Sequence, residues 1–270
     1  MKNKILITDY DGTLALPDGT VSQHTCAAIK EFVARGGTFI ICTGRMKTSI
    51  LPIARSITDS GYVISFNGAE ISKIDTGEDV VYTPIDNKTT LKALRLILDT
   101  GAYVQSYYDG KIIIDKRGEF TSFYEDIGGV KATEIHEDLY EHYKKTGRDT
   151  AKFLVFDRPE KVDYTFEKIY PLLKDELKVV RSNPYHIEIT EKTVCKGDAV
   201  KKLLKFMGKQ LDENVITVGD SGNDISMLEG FPSSFAVANA LDEAKNKAKT
   251  VLPVSNQEGA IEYIIEHYCK

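Results

Sequence analysis

No CxxC pair, no run of basic residues and no long apolar segment occurs in these 270 residues, and each absence removes a class of function. The four cysteines, Cys26, Cys42, Cys195 and Cys269, are widely scattered, which argues against a zinc site or a redox dithiol and predicts free thiols. A cysteine-dependent phosphatase would carry an Arg shortly after its nucleophile, yet the corresponding positions hold Phe32, Thr48 and Lys201. The histidines, at 24, 136, 142, 186 and 267, lack metal-ligand spacing. Lys and Arg total 35 against 40 Asp and Glu, for a net charge of −5. A nucleic-acid partner is therefore not expected, and an anionic substrate needs a locally built positive pocket. The short apolar stretch after MKNK is too brief for a signal peptide or a membrane span, so a cytoplasmic protein with no membrane partner is expected. Internal repeats and low-complexity segments are missing too, and nothing marks an oligomeric interface.

What is present is enough apolar residue for a proper core, 42% of the chain, arranged in two rhythms. The first seventy residues or so alternate strand and helix: strands at about 4–9, 38–43 and 62–67, helices at about 22–35 and 48–58. That alternation predicts a parallel sheet with crossover helices. Ser22 is placed to cap the first helix, Cys26, Ile29, Phe32 and Val33 form its inward stripe, and Gly36 can end it. From about residue 69 the pattern changes and a different sheet is expected, with a hairpin signal in YYDGKIII. Strands are predicted at 151–157, 177–182 and 186–191, and helices at about 88–99, 134–145 and 160–174. After Lys196 the strict alternation returns to the end. The fold class predicted is α/β: a doubly wound, Rossmann-like parallel core at 1–83 plus 192–270, with an α+β domain at 84–191 inserted into it.

In an open parallel sheet, ligands bind beyond the carboxyl ends of the strands, near a switch in strand order. Four strand ends carry unusual residues: DYDGT (9–13), TGR (43–45), FNGA (66–69) and GDSGND (219–224). Converging there, Asp9, Asp11, Asp220 and Asp224 would repel one another, by about 4 kcal/mol per pair at 4 Å and an effective dielectric of 20, unless a cation or shared protons intervene. Hard oxygen ligands suit Mg²⁺. Asp9 can then act as a nucleophile and Asp11 as general acid and base, with Gly12 allowing a sharp turn and Thr13 adding a hydroxyl. Thr43, Arg45 and Lys196 can supply hydrogen bonds and positive charge to a transferring phosphoryl group.

These motifs, DYDGT, TGR, the Lys of VCKGD and GDSGND in this order, together with SFNGA and HIEIT…KGDAVKKLL, resemble the haloacid dehalogenase superfamily and its Cof-type phosphatase branch, over essentially the whole chain. The resemblance implies a phosphatase that hydrolyses a small phosphorylated metabolite, such as a sugar or cofactor phosphate, through an aspartyl phosphate. It implies Asp9 as nucleophile and metal ligand, Asp11 as acid/base whose carbonyl also meets Mg²⁺, Thr43 and Lys196 at the phosphate, Asp220 as metal ligand and Asp224 as a further acid supporting the metal. Asn223 falls near the phosphate, and Gly44, Arg45 and Asn67 are implied as phosphate or substrate neighbours. The interval from Asp9 to Thr43 is short and that from Asn67 to Lys196 is long, so a substrate-selecting cap fits only the second. Within it Tyr107, Tyr108, Arg181 and His186 are candidates for substrate contact.

Each motif alone has an ordinary explanation. DYDGT reads as a turn, GDSGND as a turn and helix cap, Lys196 as a solvated residue at a helix start and Arg45 as a surface ion-pair partner. Their order and shared placement at strand ends are what favour catalysis. A phosphomutase using the same Asp, or a non-catalytic phosphate sensor, is the alternative.

Overall fold

The computed structural model describes residues 3–270. The chain forms two compact units, Met1–Val81 with Cys195–Lys270, and Tyr82–Val194. In chain order, the first unit opens with strands β1 (Ile5–Thr8), β2 (Thr38–Cys42) and β3 (Tyr62–Ser65), separated by helices α1 (Gln23–Ala34) and α2 (Lys47–Ile57). Strands β4 (Glu70–Lys73) and β5 (Asp79–Tyr82) follow. The α1 helix starts where its cap dictates, with Ser22 Oγ accepting the Thr25 N–H at 3.0 Å.

The second unit contains α3 (Asn87–Leu98), β6 (Val104–Tyr108), β7 (Lys111–Ile114), α4 (Glu119–Gly128), β8 (Ala132–Glu134), α5 (Leu139–Thr146), β9 (Phe153–Phe156), α6 (Pro159–Leu173), β10 (Leu177–Asn183) and β11 (His186–Glu191). Its sheet runs β10-β11-β9-β6-β7-β8. One face of this sheet packs on α3, α5 and α6 through Leu94, Ile97, Leu139, Phe153, Val155, Ile169 and Ile187. Asp109 and Gly110 both take positive φ, 49° and 67°, which is the turn that joins two twisted strands in a two-residue hairpin. All four cap candidates are held by their own unit: buried Tyr107 donates its hydroxyl to Gln105 Oε1 at 3.0 Å, Tyr108 shares a hydrogen bond with His142 Nε2 at 2.8 Å, Arg181 pairs with Asp163, and the centroid of the His186 ring lies 4.4 Å from that of Phe156.

The chain then returns to the first unit with α7 (Lys196–Phe206), β12 (Val215–Gly219), α8 (Ile225–Glu229), β13 (Ser233–Ala236), α9 (Asp242–Lys245), β14 (Thr250–Val251) and α10 (Ala260–Tyr268). The eight strands order as β14-β13-β12-β1-β2-β3-β4-β5. All pairs from β14 to β3 are parallel. The period of two along β1 divides the core: Leu6 joins Phe32, Ile41, Ile50 and Ile264 on one face, while Ile5 and Ile7 join Ile40, Leu203, Val215 and Met227 on the other. Helices therefore cover both faces, as a doubly wound sheet requires. No helix among the described residues is long and apolar enough to cross a membrane.

Three expectations need correction. The stretch from residue 69 does not start a different sheet: β4 folds back antiparallel on β3, with Ile64 opposite Ile71, and β5 follows it at the edge. The reversal is made by the short 3₁₀ turn Phe66–Gly68, and a strand's residue pattern does not name its partner. The helix expected over 134–145 starts later, at Leu139, where Asp138 accepts the N–H groups of Tyr140 and Glu141, while Ala132–Glu134 lies parallel to β7. Helix α4 was not anticipated at all; its start is marked by Thr121 Oγ1 accepting the Gly118 N–H at 2.9 Å.

Candidate active site

Strands β12, β1, β2 and β3 are neighbours, and the residues just past their carboxyl ends are Asp220, Asp9, Thr43 and Phe66. Chain order reverses between β12 and β1, so Asp9 sits at the switch point of the sheet. Backbone hydrogen bonds fix these ends: the Asp9 N–H donates to Val218 at 2.9 Å, that of Thr43 to Ile64 at 2.8 Å and that of Asn67 to Thr43 at 2.9 Å.

One carboxylate oxygen each from Asp9, Asp220 and Asp224 lies within 4.8 Å of the others. Lys196, on the first turn of α7 and fully buried, donates to Asp9 Oδ1 at 2.5 Å and to Asp224 Oδ1 at 2.6 Å. Burial pushes the Asp9 carboxyl well up, against the pull of Lys196 and with help from Asp224 and Asp220. Asp220 is also raised, by burial first, while the hydroxyl of Thr13 lowers it, donating to Oδ1 at 2.9 Å. Burial pulls Lys196 down, yet Asp9 and then Asp224 more than offset it, so the ammonium is held above the ordinary lysine value.

The donor set fits a divalent cation. Three carboxylates against one ammonium leave two negative charges in a buried place, and all the donors are hard oxygens. The three acids are not equivalent. Both oxygens of Asp224 are committed, Oδ1 to Lys196 and Oδ2 to the N–H groups of Asp220 and Ser221 at 2.9 and 3.0 Å. Asp224 thus holds the 220–224 loop in shape, whereas Asp9 and Asp220 have more freedom to bind an ion.

The Asp11 carboxylate is not in this cluster. Arg45 grips it with Nε at 2.9 Å and Nη2 at 2.6 Å, and the guanidinium lies over the Tyr10 ring, 4.6 Å from its centroid. The hydrogen bond to Asp11 raises the Arg45 pKa further. Tyr10, itself buried, donates to the Gly19 carbonyl at 2.6 Å. Sequence reading passed over Tyr10, whose only local signal is an aromatic between two acids. A hollow of about 450 Å³ beside Asp11 is bordered by Gly12, Leu16, Asp18, Arg45 and Gln257. A slightly larger one, about 490 Å³, is bordered by Ser22, His24, Glu262 and Tyr263 and contains none of the clustered acids, so size does not mark the site here.

The remaining candidates join the same strand ends. Thr43 is buried, and its Oγ1 accepts the Arg45 N–H at 3.2 Å. Asn223 Nδ2 donates to Asn67 Oδ1 at 3.1 Å, which ties the loop after β12 to the turn after β3. Phe66 and Asn67 both have positive φ, 49° and 56°, an uncommon backbone for residues other than glycine and one that is kept where surrounding structure enforces it. At Gly44 a Cβ would stand 3.2 Å from Asn67 Oδ1, so a side chain there requires the Asn67 amide to give by a few tenths of an ångström.

Gly12 is the sharpest test of this geometry. Its φ is +80°, and an added Cβ would meet Asp220 Oδ2 at 2.6 Å. Gly12→Ala should therefore displace Asp220 and lower turnover by about a hundredfold, the usual effect of an ångström-scale misplacement. Activity within a few-fold of the parent would show that Asp220 tolerates the shift and that its placement matters little.

A family model described as haloacid dehalogenase-like hydrolase matches residues 6–265. A 5-amino-6-(5-phospho-D-ribitylamino)uracil phosphatase of Bacillus subtilis is 28% identical over 284 residues, covering 97% of each chain. A second Bacillus subtilis enzyme of the same name is 27% identical, over 97% of this chain and 94% of its own. Among solved structures, that of the Thermotoga maritima protein TM0651 superposes with a TM-score of 0.88 at 25% identity, covering 98% of this chain and 97% of that one. The chain thus belongs to the haloacid dehalogenase-like hydrolases, in their Cof-type branch of phosphatases, which are phosphoric monoester hydrolases.

Proposed function

We propose that this enzyme hydrolyses a small phosphorylated metabolite, with Mg²⁺ as cofactor, through a phosphoryl group carried on Asp9. The observation that carries this reading is the Asp9 carboxylate at the switch point, buried beside Asp220 and Asp224 and bonded to Lys196. In the first step an oxygen of Asp9 forms a bond to phosphorus while the ester P–O bond breaks, and the departing oxygen takes a proton from Asp11. In the second, Asp11 takes a proton from water as the water oxygen attacks phosphorus, and the acyl phosphate P–O bond breaks to free Asp9 and inorganic phosphate. Asp11 serves in both only after turning from Arg45, which holds it at 2.6 Å. Lys196 and the Thr43 hydroxyl orient and offset charge on the phosphoryl oxygens, with Gly44, Arg45, Asn67 and Asn223 bordering them.

Asp9, Asp220 and the Asp11 carbonyl would hold Mg²⁺, with Asp224 bracing the loop. When bound, Mg²⁺ supplies positive charge against the phosphoryl oxygens. The two Bacillus relatives are named for a phosphorylated ribitylaminouracil, and we extend to this chain the broader class, phosphate esters of sugar-like or cofactor-like alcohols. Choice among them is assigned to the unit Tyr82–Val194, where the burial of Tyr107 and its bond to Gln105 remove it from the candidates for substrate contact. The work is expected to take place in the cytoplasm.

A chelator tests the cofactor. Phosphate release from a panel of ribose 5-phosphate, glucose 6-phosphate, pyridoxal phosphate and flavin mononucleotide should vanish in EDTA and return with excess Mg²⁺. Ca²⁺ should restore little, since its larger, looser coordination disturbs in-line geometry. Full activity in metal-free buffer would refute the metal assignment.

A further inference from the structure

The loop that presents Asp11 depends on groups from the far end of the chain. Gly12 takes φ +80°, and glycine occupies its left- and right-handed wells about equally. The orientation of the Gly12–Thr13 peptide is therefore set by its partners: its N–H makes only a long bond, 3.4 Å, to the Tyr10 carbonyl, and its carbonyl takes a closer partner. That partner is Asn239, whose Nδ2 donates to Gly12 O at 2.8 Å. The Asn239 amide is itself oriented, because its Oδ1 accepts the Asn256 N–H at 2.9 Å. The Asn256 side chain in turn donates through Nδ2 to Ala15 O at 2.7 Å. The segment bearing Asn239 also reaches the second metal-facing loop: the Leu241 N–H donates to the Asp220 carbonyl at 2.8 Å, and the Val237 N–H to Gly219 at 3.3 Å. One short stretch of chain, 237–241, thus braces both the loop of Asp9 and Asp11 and the loop of Asp220.

We infer that Asn239 and Asn256 are positioning residues, which hold the 9–15 loop in the conformation that offers Asp11 to the leaving group. The inference rests on the acid role proposed for Asp11. Neither side chain lies in the acidic cluster, and each acts through a backbone carbonyl of the loop. A single neutral hydrogen bond shifts an equilibrium by roughly 2- to 12-fold, so losing one should lower the population of the competent loop by that order.

Leaving-group chemistry separates positioning from general structural support. An alkyl phosphate needs a proton from Asp11 as it departs, whereas p-nitrophenolate leaves without one. The measurement is kcat/KM, which reports the steps up to departure of the leaving group and excludes the later attack of water common to both substrates, for Asn239→Ala and Asn256→Ala on the best alkyl phosphate of the panel and on p-nitrophenyl phosphate, with thermal melts alongside. We expect a loss of roughly 3- to 10-fold on the alkyl phosphate for Asn239→Ala, a smaller loss for Asn256→Ala, and less than about 2-fold on p-nitrophenyl phosphate for both. Equal losses on the two substrates, or no loss on either, would overturn the inference. Asp11→Asn is the control: if it too shows no leaving-group dependence, the acid role of Asp11 has failed, whereas if it shows a strong one and the Asn variants do not, only the positioning role has.

Discussion

Replacing Asp9 by Asn should cut phosphate release by on the order of 10⁴-fold or more, the range seen when a nucleophile is removed from a constellation that works as a unit. The fold should survive unharmed. An amide has nearly the shape of the carboxylate, and Asp9 is one of three acids crowded against a single ammonium in a place where burial already raises its pKa. Removing that charge relieves the crowding, so the melting temperature in metal-free buffer should be equal to or above that of the parent. In excess Mg²⁺ the order should reverse, because the parent gains stabilisation from the ion that the variant has partly lost. Steady-state phosphate release and thermal melts in both buffers check all three points. Near-normal turnover would remove Asp9 from the nucleophile role. A collapse of the fold would mean that its charge is needed to hold Lys196.

Much of this site could be read from residues alone, because the relevant signals are local. Asp9 and Asp220 follow apolar runs whose burial is evident in ILIT and VITVG, and a doubly wound sheet leaves few places for such ends except one edge. Ser22 and Gly36 bracketed α1 by the same kind of local chemistry. What escaped was decided by distant parts of the chain. Nothing in AEIS says that it will pair with β3 rather than open another sheet, since the pairing is settled by a reversal at Phe66–Gly68 in which two non-glycine residues adopt positive φ. The grip of Arg45 on Asp11 joins residues 34 apart in sequence, and the bond from Asn239 to Gly12 joins residues 227 apart. Helix α4 hid for another reason: EFTSFYEDIG is short and rich in aromatic and hydroxyl residues of modest helix propensity.

Lys196→Met should be the most destabilising single change in the site. Lys196 is fully buried and contacts Asp9 and Asp224 at 2.5 and 2.6 Å. Taking away one member of a buried ionic cluster leaves charge without compensation, at a cost of about 3–5 kcal/mol. Methionine fills the same space, so packing is not the cause. The sign of the pH dependence follows from the protons. In the parent, the raised Lys196 pKa makes a stabilising contribution that is complete below the ordinary lysine value and is lost only as pH rises through the folded value. In the variant, burial keeps Asp9 raised and Lys196 no longer pulls it down. The folded chain then binds protons that the unfolded chain has released, and stability falls as pH rises above the ordinary carboxylate range. Urea unfolding of the metal-free proteins should therefore show a large deficit at pH 7 that shrinks toward pH 5, and Asp9→Asn added to Lys196→Met should recover part of it. Turnover should drop by about 10²- to 10³-fold, as when one charge-stabilising donor is lost. A deficit that instead grows on acidification would mean that Lys196 does not neutralise these carboxylates, and the electrostatic account of the cluster would fall with it.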